Sequence, residues 1–298
     1  MNYKKIITSR NVRVLILTFT SWIPDRIMVS LQYFVKTRKF LNLKSPKRFS
    51  EKIQAYKLHY RDPLMLTCTD KFEVRKYVAD KIGSNYLIPL IGIYNNTNEI
   101  TFDKLPTKFV AKTTDGGGGN QVFVCKDKHI VSEIEFKKQL NKWMTIRKGR
   151  KHFAREWAYD NNFPRRILIE ELIGEETNDL IDYKFLCFNG KVEYIYSICN
   201  RKLGQSAQLG IYDASFNKIN VYRNDECPQE KPTCTPINFA EMITIAEKLS
   251  KSFPHVRVDL YNVNGRIYFG ELTFYDGSGY MTFSPDDFDF EIGNKFNI

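Results

Sequence analysis

Apolar residues recur along the chain with two periods, one near 3.6 and one of two, which predicts helices interleaved with short strands. A basic, aromatic stretch runs to about residue 45, where Ser45-Pro46 breaks the chain. Ser50 is placed to cap a helix reaching about His59. Asp62 before Pro63 opens a short second helix, since proline suits the first helical position. Asp70-Lys71-Phe72-Glu73 has the spacing of a capping box, and Val74, Tyr77, Val78 and Ile82 carry the helical period on to Gly83. Lys71 and Arg75 lie one turn apart and can point together at one edge.

From Leu87 the period shortens. Residues 87–94, 108–112 and 121–125 read as strands, with Thr113-Thr114-Asp115-Gly116-Gly117-Gly118-Gly119-Asn120 between the last two. A helix is expected from Ser132 to about Met144, with Phe136, Leu140, Trp143 and Met144 on one side, followed by a basic loop or lid over 145–165. Strands return at 166–172, 182–188 and 191–198, the last two joined by Asn189-Gly190, and two more short ones fall within 207–222. Thr235-Pro236 opens a helix with Phe239, Met242, Ile243, Ala246 and Leu249 on its apolar face. The class is α+β, with antiparallel sheets and helices outside.

Residues 256–279 then form a hairpin carrying Asp259 on one arm and Glu271 and Thr273 on the other, followed by the small-residue loop Asp276-Gly277-Ser278-Gly279. Hard oxygens of this kind suit Mg2+ that also holds phosphates, provided they share a face. Side chains alternate along a strand, so the turn decides. A two-residue turn at Asn264-Gly265 pairs Val263 with Arg266 and Asp259 with Gly270, sending Glu271 to the opposite face. A three-residue loop with Gly265 left-handed in a bulge pairs Asn262 with Arg266 and brings Asp259 beside Glu271. The sequence permits both; the metal site requires the second, or another arrangement with the same parity.

At 298 residues the chain can bury one large core or several lobes. Its net charge of +11, from 45 basic and 34 acidic residues, calls for an anionic partner. Arg147-Lys148-Gly149-Arg150-Lys151 comes closest to a nucleic-acid run. Much of the excess lies before residue 60, interleaved with aromatics, which favours an anionic substrate and membrane-surface contact through residues 1–45 over nucleic acid. Within that stretch, residues 12–23 are apolar but short and interrupted by Arg13, so they predict a buried helix or strand in preference to an interfacial anchor. Six cysteines without a CxxC pair and four histidines without metal spacing exclude a zinc site and an obligatory disulfide framework, and suit a cytoplasmic protein.

Four consecutive glycines cost entropy, so something requires bare backbone there; a strand, Gly-rich turn and strand can fold over phosphates. No Gly-Lys-Ser/Thr follows and no helix comes next, which excludes a Walker loop and a dinucleotide fingerprint. Lys112, closing the strand before the loop, and Lys71 are candidates to reach phosphate. Glu170 and Glu171 end an apolar strand, where a carboxylate needs a hydrogen-bond donor such as an adenine amino group. Asp182 and Lys184 share a face. Lys184 is a candidate for a terminal phosphate and Arg201 for an acyl phosphate or substrate carboxylate.

Taken in order, FSEKIQAYKL, DKFEVRKYV, IPLIGIY, FVAKTTDGGGGN, REWAY, ILIEELI, DYKFLCFNGKV and VRVDLYNVNGRIYFGELTFYDGSG resemble the ATP-grasp superfamily, and more closely its TupA-like branch, named for teichuronopeptide biosynthesis. The resemblance spans roughly residues 45–283. It implies an ATP-grasp fold, two α+β lobes with antiparallel sheets clamping ATP, preceded by a helical N-terminal segment. The implied divisions are 1–45, a helical region 46–105, a small lobe 106–174 with the glycine loop, and a large lobe 175–298 with the metal site. It implies ATP phosphates on Lys71 and Lys112 under Gly116, Gly117, Gly118 and Gly119, and adenine on Glu170 and the backbone of Glu171, Leu172 and Ile173. Ribose would fall to Glu175 or Glu176, and Mg2+ to Asp259, Glu271 and Thr273. The chain departs from the family pattern at Thr273, where Asn is usual, and at Asp115 and Asp276, where His and Pro are expected. The implied activity is carboxylate–amine ligation on a bacterial surface glycan, joining a uronic acid or amino acid to an amine. A glycosyltransferase using a nucleotide sugar and a non-enzymatic assembly protein acting through residues 1–45 are the alternatives.

Overall fold

The computed structural model describes residues 10–117, 121–145, 153–160, 163–174, 180–202 and 206–298, and only the backbone of 10, 11, 13, 14, 201, 202 and 206. The helices in chain order are α1 (Arg10–Phe19), α2 (Asp25–Thr37), α3 (Phe49–His59), α4 (Pro63–Thr69), α5 (Val74–Ile82), α6 (Glu133–Met144), α7 (Phe239–Ser250) and α8 (Asp287–Lys295). Four strands, β1 (Leu90–Tyr94), β2 (Phe109–Thr113), β3 (Val122–Cys125) and β4 (Ile167–Glu171), form one antiparallel sheet in the order β1-β4-β2-β3. A second sheet is built from β5 (Asp182–Phe188), β6 (Lys191–Lys202), β7 (Ser206–Asp213), β9 (Cys227–Pro228), β10 (His255–Val263) and β11 (Arg266–Thr273). Its order is β11-β10-β5-β6-β7-β9, antiparallel except where β9 joins β7. A pair formed by β8 (Tyr222–Arg223) and β12 (Phe283–Ser284) completes the set. The expected α+β class and antiparallel pairing hold.

Each large sheet has its own apolar core. The smaller one closes on α6, where the fully buried Phe136 meets Phe102, Phe109 and Phe123 at ring separations of 5.5, 5.6 and 5.1 Å. Burial of one such ring contributes about 1.5–3 kcal/mol. The larger core fills the space between the six-stranded sheet and α3, α7 and α8, with Phe49, Ile53, Phe185, Leu249 and Phe274 fully enclosed. Two separate cores explain why a cleft can lie between the sheets.

Several local expectations change. Ser50 does not cap α3: Arg48 holds the N-cap position, and the Glu51 carboxylate accepts from the backbone N–H groups of Lys47 (2.9 Å) and Arg48 (3.1 Å). Ser50 instead ties α3 to α8, its N–H and Oγ donating to Asp289 at 2.9 and 2.7 Å. The sequence reading had no element there, because α8 follows Pro285 and carries a mixed acidic and aromatic pattern. At Asp70 only half of the capping box forms. Its carboxylate accepts from Phe72 and Glu73 N–H, but Glu73 turns away to Arg166 (2.5 Å), which also lies 3.7 Å from Asp70. Among the described side chains of residues 12–23 none is buried, and Val12, Leu15, Ile16, Phe19 and Trp22 face outward. Among the described residues no helix is long and apolar enough to cross a membrane.

The α3–α8 junction generates two predictions. A Cβ at Gly293 would overlap the Lys47 carbonyl oxygen and stand 2.9 Å from Phe49 N, so Gly293→Ala should cost about 1–3 kcal/mol or more in urea unfolding. Hydrogen bonds from Arg48 and Lys39 hold the Asp286 carboxyl down at about 2, below its ordinary 3.8. The stabilisation is therefore complete above about 4 and lost as pH falls through 2. Asp286→Asn should flatten that acid limb in a pH series of melting temperatures.

Candidate nucleotide and metal site

The hairpin resolves its parity in a way the turn alone does not foretell. The turn has two residues, Asn264 (φ 52°) and Gly265 (φ 87°), and pairs Val263 with Arg266, so the three-residue loop is not formed. The register then shifts: Leu260 faces Phe269, but Asp259 faces Glu271. Gly270 is the extra residue of a β-bulge, which moves Glu271 and Thr273 onto the face of Asp259. Backbone runs close there, since a Cβ on Gly270 would lie 3.0 Å from the Asp259 carbonyl oxygen and 3.2 Å from the Tyr261 ring.

Arg257 organises the shared face. Its Nε and Nη2 donate to the two oxygens of Asp259 at 2.8 Å each. Nη2 also reaches Thr273 Oγ1 (3.1 Å) and Glu271 Oε1 (3.3 Å), and Nη1 donates to Asp276. Burial works against the charge of Arg257, but Asp259 and Asp276 outweigh it and hold the guanidinium well above its ordinary value. Lys184 donates to Asp259 and lies 2.8 Å from Asp182, so it sits between two carboxylates on the shared face. Burial pushes Asp259 up, to about 6, against the pull of Arg257 and Lys184. For the half-exposed Glu271 burial also opposes charge, but Lys184, Arg257 and Lys71 prevail and hold it down at about 2.

Across the cleft, β2 and β4 bring Lys112 and Glu170 into an ion pair, and Lys71 and Arg75 project from the start of α5. These four line one cavity with Leu87, Ile88, Phe269 and Gly270. Lys71 is tied to the glycine loop: its N–H donates to Thr114 O (2.9 Å) and its ammonium to Gly116 O. Burial pushes the Lys71 ammonium down, Glu271 opposes and Lys112 adds to the push. Asp115 anchors the loop through Arg165, whose Nε donates to both carboxylate oxygens at 2.8 and 2.9 Å. A Cβ on Gly116 would press on Gln121 and Thr113, whereas one on Gly117 meets nothing within 4 Å.

The remaining candidates are less concentrated. Glu171 ends β4 with its N–H on Pro89 O (3.0 Å), and Leu172 and Ile173 follow it, outside the cavity lining. Gly118, Gly119, Glu175, Glu176 and residues 146–152 and 161–162 of the expected lid lie outside the described residues, as does the side chain of Arg201. Sequence reasoning missed Glu156 of the REWAY stretch, which accepts from Ser278 Oγ at 2.5 Å, and Lys57, whose ammonium donates to Gln54 Oε1, Ala154 O and Ser278 O. Burial pushes Lys57 down to about 7. Both grip a turn in which Gly277, Ser278 and Gly279 all have left-handed φ. The signal was the small-residue loop itself, which demands side chains from elsewhere to fix it.

A divalent cation fits here only with help. Among the described residues no three His, Cys, Asp or Glu side chains cluster as a cage. Two carboxylates and the Thr273 hydroxyl on one face suit an ion that keeps water and phosphate oxygens as its other ligands. Asp259 Oδ1 accepts a hydrogen bond from Arg257 Nε and, with two lone pairs, can still share an oxygen. Glu271 stays ionised.

A family model, TupA-like ATPgrasp, matches residues 51–297. No curated protein matches the sequence. Among solved structures the chain is similar to D-alanine–D-alanine ligase from Bacillus anthracis in complex with ATP, at 17% identity and a TM-score of 0.42 over 70% of this chain and 55% of that one. It is similar to the D-alanine–D-alanine ligase from Helicobacter pylori at 12% and 0.41, over 84% and 70%. It is also similar to N5-carboxyaminoimidazole synthetase from Staphylococcus aureus in complex with ADP at 11% and 0.43, over 79% and 52%. The chain thus spans little more than half the length of the first and last of these.

Arg257→Met should destabilise by about 3–5 kcal/mol in urea unfolding, because it leaves buried Asp259 with Lys184 and buried Asp276 with Arg223 at 3.5 Å as their remaining cations. Gly270→Ala should cost only about 1 kcal/mol while disturbing the bulge, and so weaken magnesium-dependent nucleotide binding in calorimetry more than it lowers stability.

Proposed function

The chain belongs to the TupA-like ATP-grasp family, and we propose that it is an ATP- and Mg2+-dependent carboxylate–amine ligase of bacterial surface-polysaccharide biosynthesis. The observation that carries this reading is the meeting of Lys71, Lys112 and Glu170 with the bulge at Phe269-Gly270 in one cleft, beside Glu271. These residues come from four distant parts of the chain, and the chemistry of each suits one part of a nucleotide.

In this reading Glu170 accepts from the adenine amino group, with the backbone of Glu171, Leu172 and Ile173 beside it and Glu176 on the ribose. Lys71 and Lys112 bind the phosphates beneath the loop Gly116 to Gly119. Asp259, Glu271 and Thr273 would hold Mg2+, which when bound neutralises charge on the phosphates. A substrate carboxylate oxygen attacks the γ-phosphorus; the bond to ADP breaks and an acyl phosphate forms. An amine nitrogen then attacks the acyl carbon, phosphate leaves, and the amine gives up its proton. Lys184 and Arg201 stabilise charge as it develops on the transferred group, so the protein contributes position and field, not a covalent bond. The carboxylate is a uronic acid or amino acid carried by a capsular, teichuronic or O-antigen glycan. The setting is cytoplasmic, at the inner face of the cell membrane.

An ADP-release screen of uronic acids against amino acids with Mg2+ tests the reaction. At least one pair should raise ADP release over ATP alone, and Glu271→Ala should lower it by roughly 10²-fold or more in protein that still unfolds in a single cooperative transition. Tighter binding of a nucleotide-sugar diphosphate than of ATP would replace this reading with glycosyl transfer.

A further inference from the structure

We propose that α1, α2 and the turn after them form a docking face for an anionic lipid bilayer. This names the surface behind the membrane setting given above, and it stands or falls separately from ligation.

The first observation is where apolar side chains are left uncovered. Val12, Leu15, Ile16 and Phe19 are exposed at the i, i+3, i+4, i+7 spacing of one face of α1. On α2 the inner positions Met28, Val29 and Tyr33 pack on the body, while Ile27, Leu31, Phe34 and Val35 face out. Trp22 between the helices is 81% exposed, and Phe40 beyond them, stacked on Phe34 at 5.0 Å, is 86% exposed. This grouping is far denser than the scattered apolar residues of an ordinary surface.

The second observation is charge. Residues 1–48 hold eleven Lys and Arg and a single acid, Asp25, so this segment supplies ten of the chain's eleven net positive charges. The rest of the chain is almost neutral. Arg26 and Arg38 on and at the end of α2, and Lys44 and Lys47 after it, are exposed in the same segment. An apolar stripe edged with Lys and Arg is what an interfacial helix presents to acyl chains and acidic headgroups. A second copy on this face would set two such positive charges against each other. Among the described residues the two helices, of 10 and 13 residues and separated by Pro24, are too short to span and suited to lie flat.

The third observation is that the face is bolted to the site. Arg155 Nη2 donates to the carbonyls of Thr20, Ser21 and Ile23 at 3.3 Å. Gln32 donates to Phe153 O (2.8 Å) and accepts from Tyr280 Oη (2.7 Å). Phe153 and Arg155 precede Glu156, and Tyr280 ends the turn that Glu156 grips. Docking would therefore fix the height of that turn above the bilayer.

The test is co-sedimentation of the full chain with phosphatidylcholine vesicles, with and without phosphatidylglycerol, following Trp22 by quenching from brominated lipid. Binding is expected only to the anionic vesicles, with Trp22 quenched and added salt releasing the protein. Phe19→Ser with Trp22→Ser, and separately Arg26→Glu with Arg38→Glu, should each weaken partition by roughly tenfold or more. Nucleotide binding measured without vesicles should be unchanged and reports that the variants fold. Equal partition with and without anionic lipid, or partition unaffected by both pairs, overturns the proposal. So does light scattering that shows a dimer dispersed by the apolar pair without any vesicle binding. A missing ligase activity with vesicle binding intact would strike the function above and leave this inference standing.

Discussion

One guanidinium sets the terms for the face that carries Asp259, Glu271 and Thr273. Arg257 touches Asp259, Glu271, Thr273 and Asp276, so two strands and the turn beyond them share a single cation. Gathering carboxylates onto one face is costly in repulsion and desolvation. Arg257, with Lys184 behind it and Arg223 near Asp276, offsets that cost before any ligand arrives. The same arrangement decides which acid is open to the cleft: Asp259 is enclosed, while Glu271 keeps exposed surface.

The turn downstream extends this frame. Asp276 is held by arginines on one side, and two residues later Ser278 is held by Lys57 and Glu156 from α3 and the REWAY stretch. Gln54 adds hydrogen bonds to Ser278 O and Gly279 O at 3.0 and 2.7 Å. Three left-handed residues in succession would not persist without such partners. The helices before the smaller sheet thus serve the larger one.

Much of this was legible. The strands at 182–188 and 191–198 and the helix at 132–144 were set by alternation, an Asn-Gly turn and a serine cap, all local signals. Lys112 and Glu170 were singled out by strand ends and the glycine loop, and Lys71 by the helix before them, and the three line one cavity. What local reasoning missed was set by tertiary partners: Ser50 spends its hydroxyl on Asp289, and Glu73 on Arg166. The bulge was in the sequence all the same. Apolar residues fall at Ile267 and Phe269, then at Leu272 and Phe274, and that single slip of parity is Gly270. A reading confined to the turn could not see it, because the correction lies four residues further on.

The ion pair of Lys112 with Glu170 has a consequence for discrimination. Both groups are largely shielded from water, and each is the other's partner. A lone anion that drew Lys112 away would leave a buried carboxylate uncompensated, at about 3–5 kcal/mol. A lone base that claimed Glu170 would strand the ammonium in the same way. Only a ligand bringing a donor at one end and an anion at the other can relieve both at once. At the proposed nucleotide site the pair would thus act as an internal competitor that fragments could not displace and a complete nucleotide could.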